Sequence, residues 1–135
     1  MTAAVAAVIL RRGAIARRRR ISRYRLLARL RVVEGDTIVL GPGKADLLEA
    51  LAESGSIRDA ATRLGMSYMR AWSLIRIMNE RFRKPLVEAV RGGSRRGGAT
   101  LTPTGRAVLR LYRRMNSTSL RAAAPAFREL RRLLR

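Results

Sequence analysis

Apolar and polar residues alternate over residues 26–33, with Ala28, Leu30 and Val32 on one side and Arg29 and Arg31 on the other. A period of two predicts a half-buried strand. Glu34-Gly35-Asp36 reads as a turn and residues 37–40 as a second strand, after which Gly41-Pro42-Gly43 breaks the pattern. The period then lengthens. Leu47, Leu48 and Leu51 predict a helix over residues 44–53, stopped by Gly55. Ser56 is placed to cap a second helix, with Asp59 as a carboxylate near its start. Ile57, Ala60, Ala61 and Leu64 form the single apolar face of that short helix, which Gly65 ends. Ser67 caps a third helix over residues 68–82. At 100° per residue, Ala71, Ile75, Met78 and Phe82 share one side, flanked by Tyr68 and Trp72, which are read as core. The opposite side holds Met69, Ser73, Arg76 and Glu80, bordered by Arg70 and Ile77, and Pro85 stops the run.

Residues 86–90 and 99–102 read as two strands joined by a glycine-rich tip over residues 91–98. Pro103 suits the first turn of another helix, whose fixed φ and missing N–H are tolerated there. Val108, Leu111, Tyr112 and Met115 give that helix an apolar stripe. A terminal amphipathic segment follows with Phe127, Leu130 and Leu134, and Pro125 before it predicts a kink or break. The chain divides into an arm (1–22), a folded unit (23–115) and a C-terminal helical segment (116–135).

Two short helices joined by a tight glycine turn have helix-turn-helix spacing. Ala61 falls where the helices touch, Gly65 in the turn, and Ala71 and Leu74 on the second helix. With a strand–tip–strand element following, the fold class predicted is α+β, mostly helical: a winged helix-turn-helix with a C-terminal dimerisation helix. A plain helical hairpin is the alternative.

Composition narrows the chemistry. The chain has 135 residues, no His and no Cys, so imidazole bases, thiol nucleophiles, disulfides and His/Cys metal sites are excluded. Gly41-Pro42-Gly43-Lys44 is not a P-loop, because Ala45 stands where a hydroxyl is required. Asp46, Glu49 and Glu53 read as a solvated helix face. No catalytic residue, metal site or cofactor is expected, and no enzyme activity. The net charge is +21. Residues 41–90 are nearly neutral, with eight basic and six acidic residues, whereas residues 1–40 hold ten Arg against two acids and residues 91–115 seven Arg against none. A nearly neutral fold with basic flanks fits a nucleic-acid partner, whose condensed counterions such cations release. Residues 1–20 are too short in their apolar run to span a bilayer and carry their charge after it, so they read as a basic arm rather than a targeting signal. No membrane association is expected.

The strings Gly41-Pro42-Gly43-Lys44, Leu47-Leu48-Glu49-Ala50, Gly55-Ser56-Ile57, Gly65-Met66-Ser67-Tyr68, Ala71-Trp72, Met78-Asn79 and Leu101-Thr102-Pro103-Thr104-Gly105 carry a resemblance. Residues 26–115 resemble the N-terminal DNA-binding domain of the ModE family of molybdate-responsive regulators, a domain similar to the LysR-type winged helix. The resemblance implies a cytoplasmic, prokaryotic, homodimeric transcriptional regulator that reads a palindromic operator on double-stranded DNA. Two positions depart from the family pattern. Met69 stands where a basic residue is frequent, and Arg95-Arg96 interrupt a wing that is otherwise nearly all glycine. The twenty residues after Met115 are Arg-rich and helical in pattern, so no small-molecule effector is expected on this chain.

The DNA-contacting residues expected are Ser67, Met69, Arg70, Ser73, Arg76, Arg91, Arg95 and Arg96. Arg70 could donate two hydrogen bonds to guanine O6 and N7. Ser67 reads equally as a cap or as a phosphate contact at a helix start. Arg76 reads as a phosphate contact or as the partner of Glu80. Arg95 and Arg96 suit backbone or a narrow minor groove. Phe127, Leu130 and Leu134 are expected to form the dimer contact, since an exposed apolar stripe marks an interface. Two rival classes remain: a non-specific architectural DNA- or RNA-binding protein acting through Arg charge, and a partner-binding module without a DNA role.

Overall fold

The computed structural model describes residues 23–90 and 98–135. Among these residues, four helices and two antiparallel hairpins follow in the order β1 (Val32–Glu34), β2 (Thr37–Leu40), α1 (Pro42–Ser54), α2 (Ile57–Arg63), α3 (Tyr68–Arg81), β3 (Val87–Val90), β4 (Gly98–Leu101) and α4 (Pro103–Arg131). Val33 faces Ile38 in the first hairpin, and Val87 faces Leu101 in the second. The fold is a winged helix-turn-helix, with α2 and α3 as the helical pair and β3–β4 as the wing.

Each helix begins where the sequence supplies a start signal. Ser56, Ser67 and Thr102 accept hydrogen bonds from the backbone N–H groups of Asp59, Arg70 and Gly105. α1 instead starts at Pro42, behind a Gly41 with no side-chain cap. Gly55 and Gly65 sit at φ +67° and +64°, the left-handed region that closes α1 and turns α2 toward α3 without a Cβ penalty.

Leu47, Leu48 and Leu51 of α1 are fully buried, as are Ala60 of α2, Ala71 and Met78 of α3 and Leu86 before β3. The small Ala60, Ala61 and Ala71 let α2 and α3 approach closely while α1 supplies the volume. The wing is fixed at its base by one side chain. Asn79 Oδ1 accepts from the N–H groups of Leu86 (2.8 Å) and Val87 (3.2 Å), and its Nδ2 donates to the Val87 carbonyl at 3.0 Å. Three bonds from one amide orient the strand against the end of α3. On the other strand, the Ala99 N–H donates to the Gly55 carbonyl at 3.0 Å.

α4 locks onto the same place. Thr102 donates from its N–H to the Leu86 carbonyl and from its hydroxyl to the Pro85 carbonyl. A Cβ built on Gly105 would lie 2.1 Å from the Leu86 carbonyl oxygen, so this position admits only glycine without backbone movement.

Several expectations are corrected. Regular strand starts only at Val32, because the preceding residues 26–31 have no ladder partner and lie without regular structure. Tyr68 and Trp72 are not core: they are 48% and 45% exposed, since the apolar arc of α3 is narrow enough for Ala71, Ile75 and Met78 alone to fill. Leu111 and Met115 are also exposed, and the face of α4 that docks is Gly105, Leu109 and Tyr112, one step round from the stripe expected. Pro125 does not break α4, which continues to Arg131. Proline removes a single N–H, and the bonds on either side carry the helix through. The expected boundary after Met115 therefore falls inside a continuous 29-residue helix.

Candidate nucleic-acid interface

α3 is held by its buried Ala71, Ile75 and Met78, which fixes what the other side presents. Met69 is 66% exposed, with Ser67 and Arg70 exposed beside it and Ser73 half-buried one turn on. These residues share the first two turns of α3, on the outer side of the helix pair. Ser67 acts as a cap: its hydroxyl oxygen accepts from the Arg70 N–H at 3.1 Å. Arg76 pairs with Glu80 at 3.0 Å, and its guanidinium lies 6.0 Å from the Trp72 ring centroid. Arg91, Arg95 and Arg96 lie outside the described residues, as does the arm over residues 1–22.

The hairpin β1–β2 flanks α3. Glu34 at its turn accepts a 2.8 Å ion pair from Arg81 near the end of α3. Ile38 of β2 meets Leu74 and Arg70 across a cavity of about 400 Å³ that Arg29, Arg31 and Lys44 also line. Lys44 Nζ donates to the Ile38 carbonyl, and burial lowers its pKa below 10.5. Nothing in the sequence alone marks Arg29, Arg31 or Lys44 as functional. The signal was present in the alternation of residues 28–32, which places both arginines on one side, but it reads equally as the solvated face of a strand.

Among the described residues, no group of three or more acidic, His or Cys side chains could hold a metal ion. No described helix is long and apolar enough to cross a membrane.

Residues 44–106 match the model of the bacterial regulatory helix-turn-helix proteins of the LysR family. The chain is also similar to several curated proteins. It is 41% identical over 70 residues to the molybdenum-pterin-binding protein MopA of Rhodobacter capsulatus, covering 52% of this chain and 26% of that one. It is 45% identical over 67 residues to the molybdenum transport protein ModE of Azotobacter vinelandii, covering 50% and 25%. With the DNA-binding transcriptional dual regulator ModE of Escherichia coli K12 it shares 42% identity over 71 residues, 53% of this chain and 27% of that one. The matched stretch is thus about a quarter of these relatives' length. The chain also superposes on the solved structure of the CbnR_DBD–DNA complex, with a TM-score of 0.52 and 24% identity, over 65% of this chain and 95% of that chain. That likeness establishes the shared fold.

Proposed function

We propose that the chain is a sequence-specific, double-stranded DNA-binding transcriptional regulator acting in the cytoplasm as a homodimer, without enzymatic activity of its own. The observation that carries this reading is the outer face of α3. A rigid helix, clamped at one end by its Ser67 cap and at the other by the Asn79–wing contacts, holds Met69, Arg70 and Ser73 outward on its first turns. A recognition helix uses such N-terminal positions to reach base edges in the major groove. Arg70 is the residue suited to a guanine, Ser67 and Arg76 to the flanking phosphates, and Arg91, Arg95 and Arg96 of the wing tip to the neighbouring backbone or minor groove. The relatives named as ModE regulators support the same reading.

One winged helix reads a half-site, so the regulator needs a second copy. α4 supplies the means. Phe127 and Leu130 continue the face of Gly105, Leu109 and Tyr112 beyond the body, and Leu130 is 53% exposed. Leu134 follows just past the helix end.

The test is a binding selection from random duplexes with the full chain, followed by titration of the selected duplex, a scrambled duplex and single-stranded RNA at one fixed salt concentration. The regulator reading expects a ratio of selected to scrambled affinity of about 10³ or more. Equal affinity for all three nucleic acids would establish the charge-driven architectural reading in its place.

A further inference from the structure

The cavity between β2, the start of α1 and the start of α3 has an unusual lining. Four cations from three separate stretches converge on it: Arg29 and Arg31 from the segment before β1, Lys44 from the first turn of α1, and Arg70 from the first turn of α3. No carboxylate lines it among the described residues. The acidic residues that form ion pairs among the described residues do so elsewhere: Glu53 with Arg63, Glu80 with Arg76, Glu34 with Arg81 and Glu49 with Arg113. The positions are built rather than accidental. The Arg31 stem lies against Gly41, where a Cβ would meet its Cγ at 3.3 Å, and Lys44 is tied to the Ile38 carbonyl. Gathering like charges in a partly desolvated recess is unfavourable in the free protein, and an anion seated there reverses the sign.

We propose that this cavity seats one backbone phosphodiester of bound DNA, gripped by Arg29, Arg31 and Lys44 while Arg70 on its rim reaches the adjacent base. This deepens the regulator reading and rests on it. The shared chemistry is a tetrahedral phosphate oxyanion, and two features favour the DNA backbone over a free ion as its source. The first is place: Arg70 belongs both to the cavity and to the exposed start of the recognition helix. The second is size and lining. About 400 Å³ is far more than one tetrahedral oxyanion fills, and Ile38, Pro42 and Leu74 offer an apolar wall to a sugar arriving with the phosphate. Guanidinium forks bind phosphate oxygens in pairs, and Lys adds a point charge. The hairpin β1–β2, pinned to α3 by Glu34–Arg81, thereby becomes part of the DNA-binding surface.

The experiment combines protein and DNA changes. The full chain, Arg31→Gln, Lys44→Gln and the control Arg113→Gln are titrated with the selected duplex and with a series in which single phosphates are replaced by neutral methylphosphonates. Thermal melts verify that each variant is folded. The proposal expects one phosphate whose neutralisation weakens the parent chain about tenfold and leaves Arg31→Gln and Lys44→Gln nearly unaffected. Each of those variants should lower the log–log salt slope by at most about 0.9, the full contribution of one phosphate, whereas Arg113→Gln keeps the full sensitivity at that phosphate. Inorganic phosphate is titrated in parallel by calorimetry. Saturable phosphate binding lost in Lys44→Gln, without coupling to any DNA phosphate, would assign the cavity to a free oxyanion and overturn the DNA assignment. Neither coupling nor phosphate binding would overturn the site altogether. Failure of the parent chain to prefer duplex DNA is a separate outcome, and it would remove the regulator reading itself.

Discussion

Gly105, Leu109 and Tyr112 in the first half of α4 are buried, while Phe127 and Leu130, on the same face in the second half, are half-buried and exposed. The periodicity is one and the same. The surroundings differ. The first half meets the Leu86 backbone and the core beneath α1, and the Tyr112 hydroxyl donates to the Leu30 carbonyl at 2.9 Å. The second half has none of the helix's buried residues, and just past its end the Arg135 carbonyl accepts a hydrogen bond from the Tyr24 hydroxyl. A stripe in a sequence therefore reports the capacity to bury a face, and only the fold decides where that capacity is used within the chain. Between the halves stands Asn116, whose Oδ1 is buried with no hydrogen-bond partner among the described residues.

Truncations in the two halves of α4 should carry unequal costs. Leu109→Ala should destabilise the chain by about 2–5 kcal/mol, the cost of lost burial plus a cavity. Leu130→Ala should stay within about 0.5 kcal/mol at concentrations where the chain is monomeric. Urea titrations of both variants measure the difference, and equal losses would show that the two halves are packed alike.

The Gly105→Ala change probes the docking of the first half by itself. Its methyl must displace the Leu86 backbone, so a loss of about 1–3 kcal/mol is expected in the same titration. Unchanged stability would mean that α4 slides freely on the wing base.

A smaller effect of opposite sign is expected at Asn116→Leu. Replacing an unsatisfied buried acceptor by an apolar side chain should raise monomer stability by about 1 kcal/mol. A loss instead would show that Asn116 is satisfied in the assembly, for which sedimentation of the same variant should then show a changed oligomeric state.

Much of the body was legible in the sequence. Ser56, Ser67, Gly55 and Gly65 act locally, so these caps and turns could be read from neighbouring residues. The exposed start of α3 followed from the same 100° arithmetic, which set Met69 and Arg70 opposite Ala71 and Ile75. What was not legible depends on distant partners. Asn79 looks like any polar helix residue until the wing base folds onto it. Gly105 looks like a weak helix position until Leu86 lies against it. Tyr68 and Trp72 look like core because their size suggests burial, yet the alanine-lined contact with α2 leaves no room for them. Arg29, Arg31, Lys44 and Arg70 are far apart along the chain, and only the hairpin folding beside α3 brings them together.

The smallest predicted effect concerns Lys44. Desolvation lowers its folded pKa below 10.5, so its charged form costs stability at neutral pH. That cost is constant below the folded pKa and fades as pH rises through it toward the unfolded value. The stability of Lys44→Met relative to the parent chain should therefore be slightly favourable at pH 7 and shrink toward pH 10.5, as melting temperatures across that range would register. A difference independent of pH would place the lysine in water.

The reading of α3 as the recognition element stands or falls on Arg70, which the fold holds outward on the first turn with its N–H fixed by Ser67. The most direct measurement is a paired selection from random duplexes with the parent chain and with Arg70→Ala. The account predicts that the variant loses about 1–3 kcal/mol on the parent's preferred duplex and selects sequences relaxed at one base step while keeping the rest of the pattern. An unchanged selected sequence, with affinity lowered equally for every duplex, would contradict it and leave Arg70 as one more positive charge on the surface.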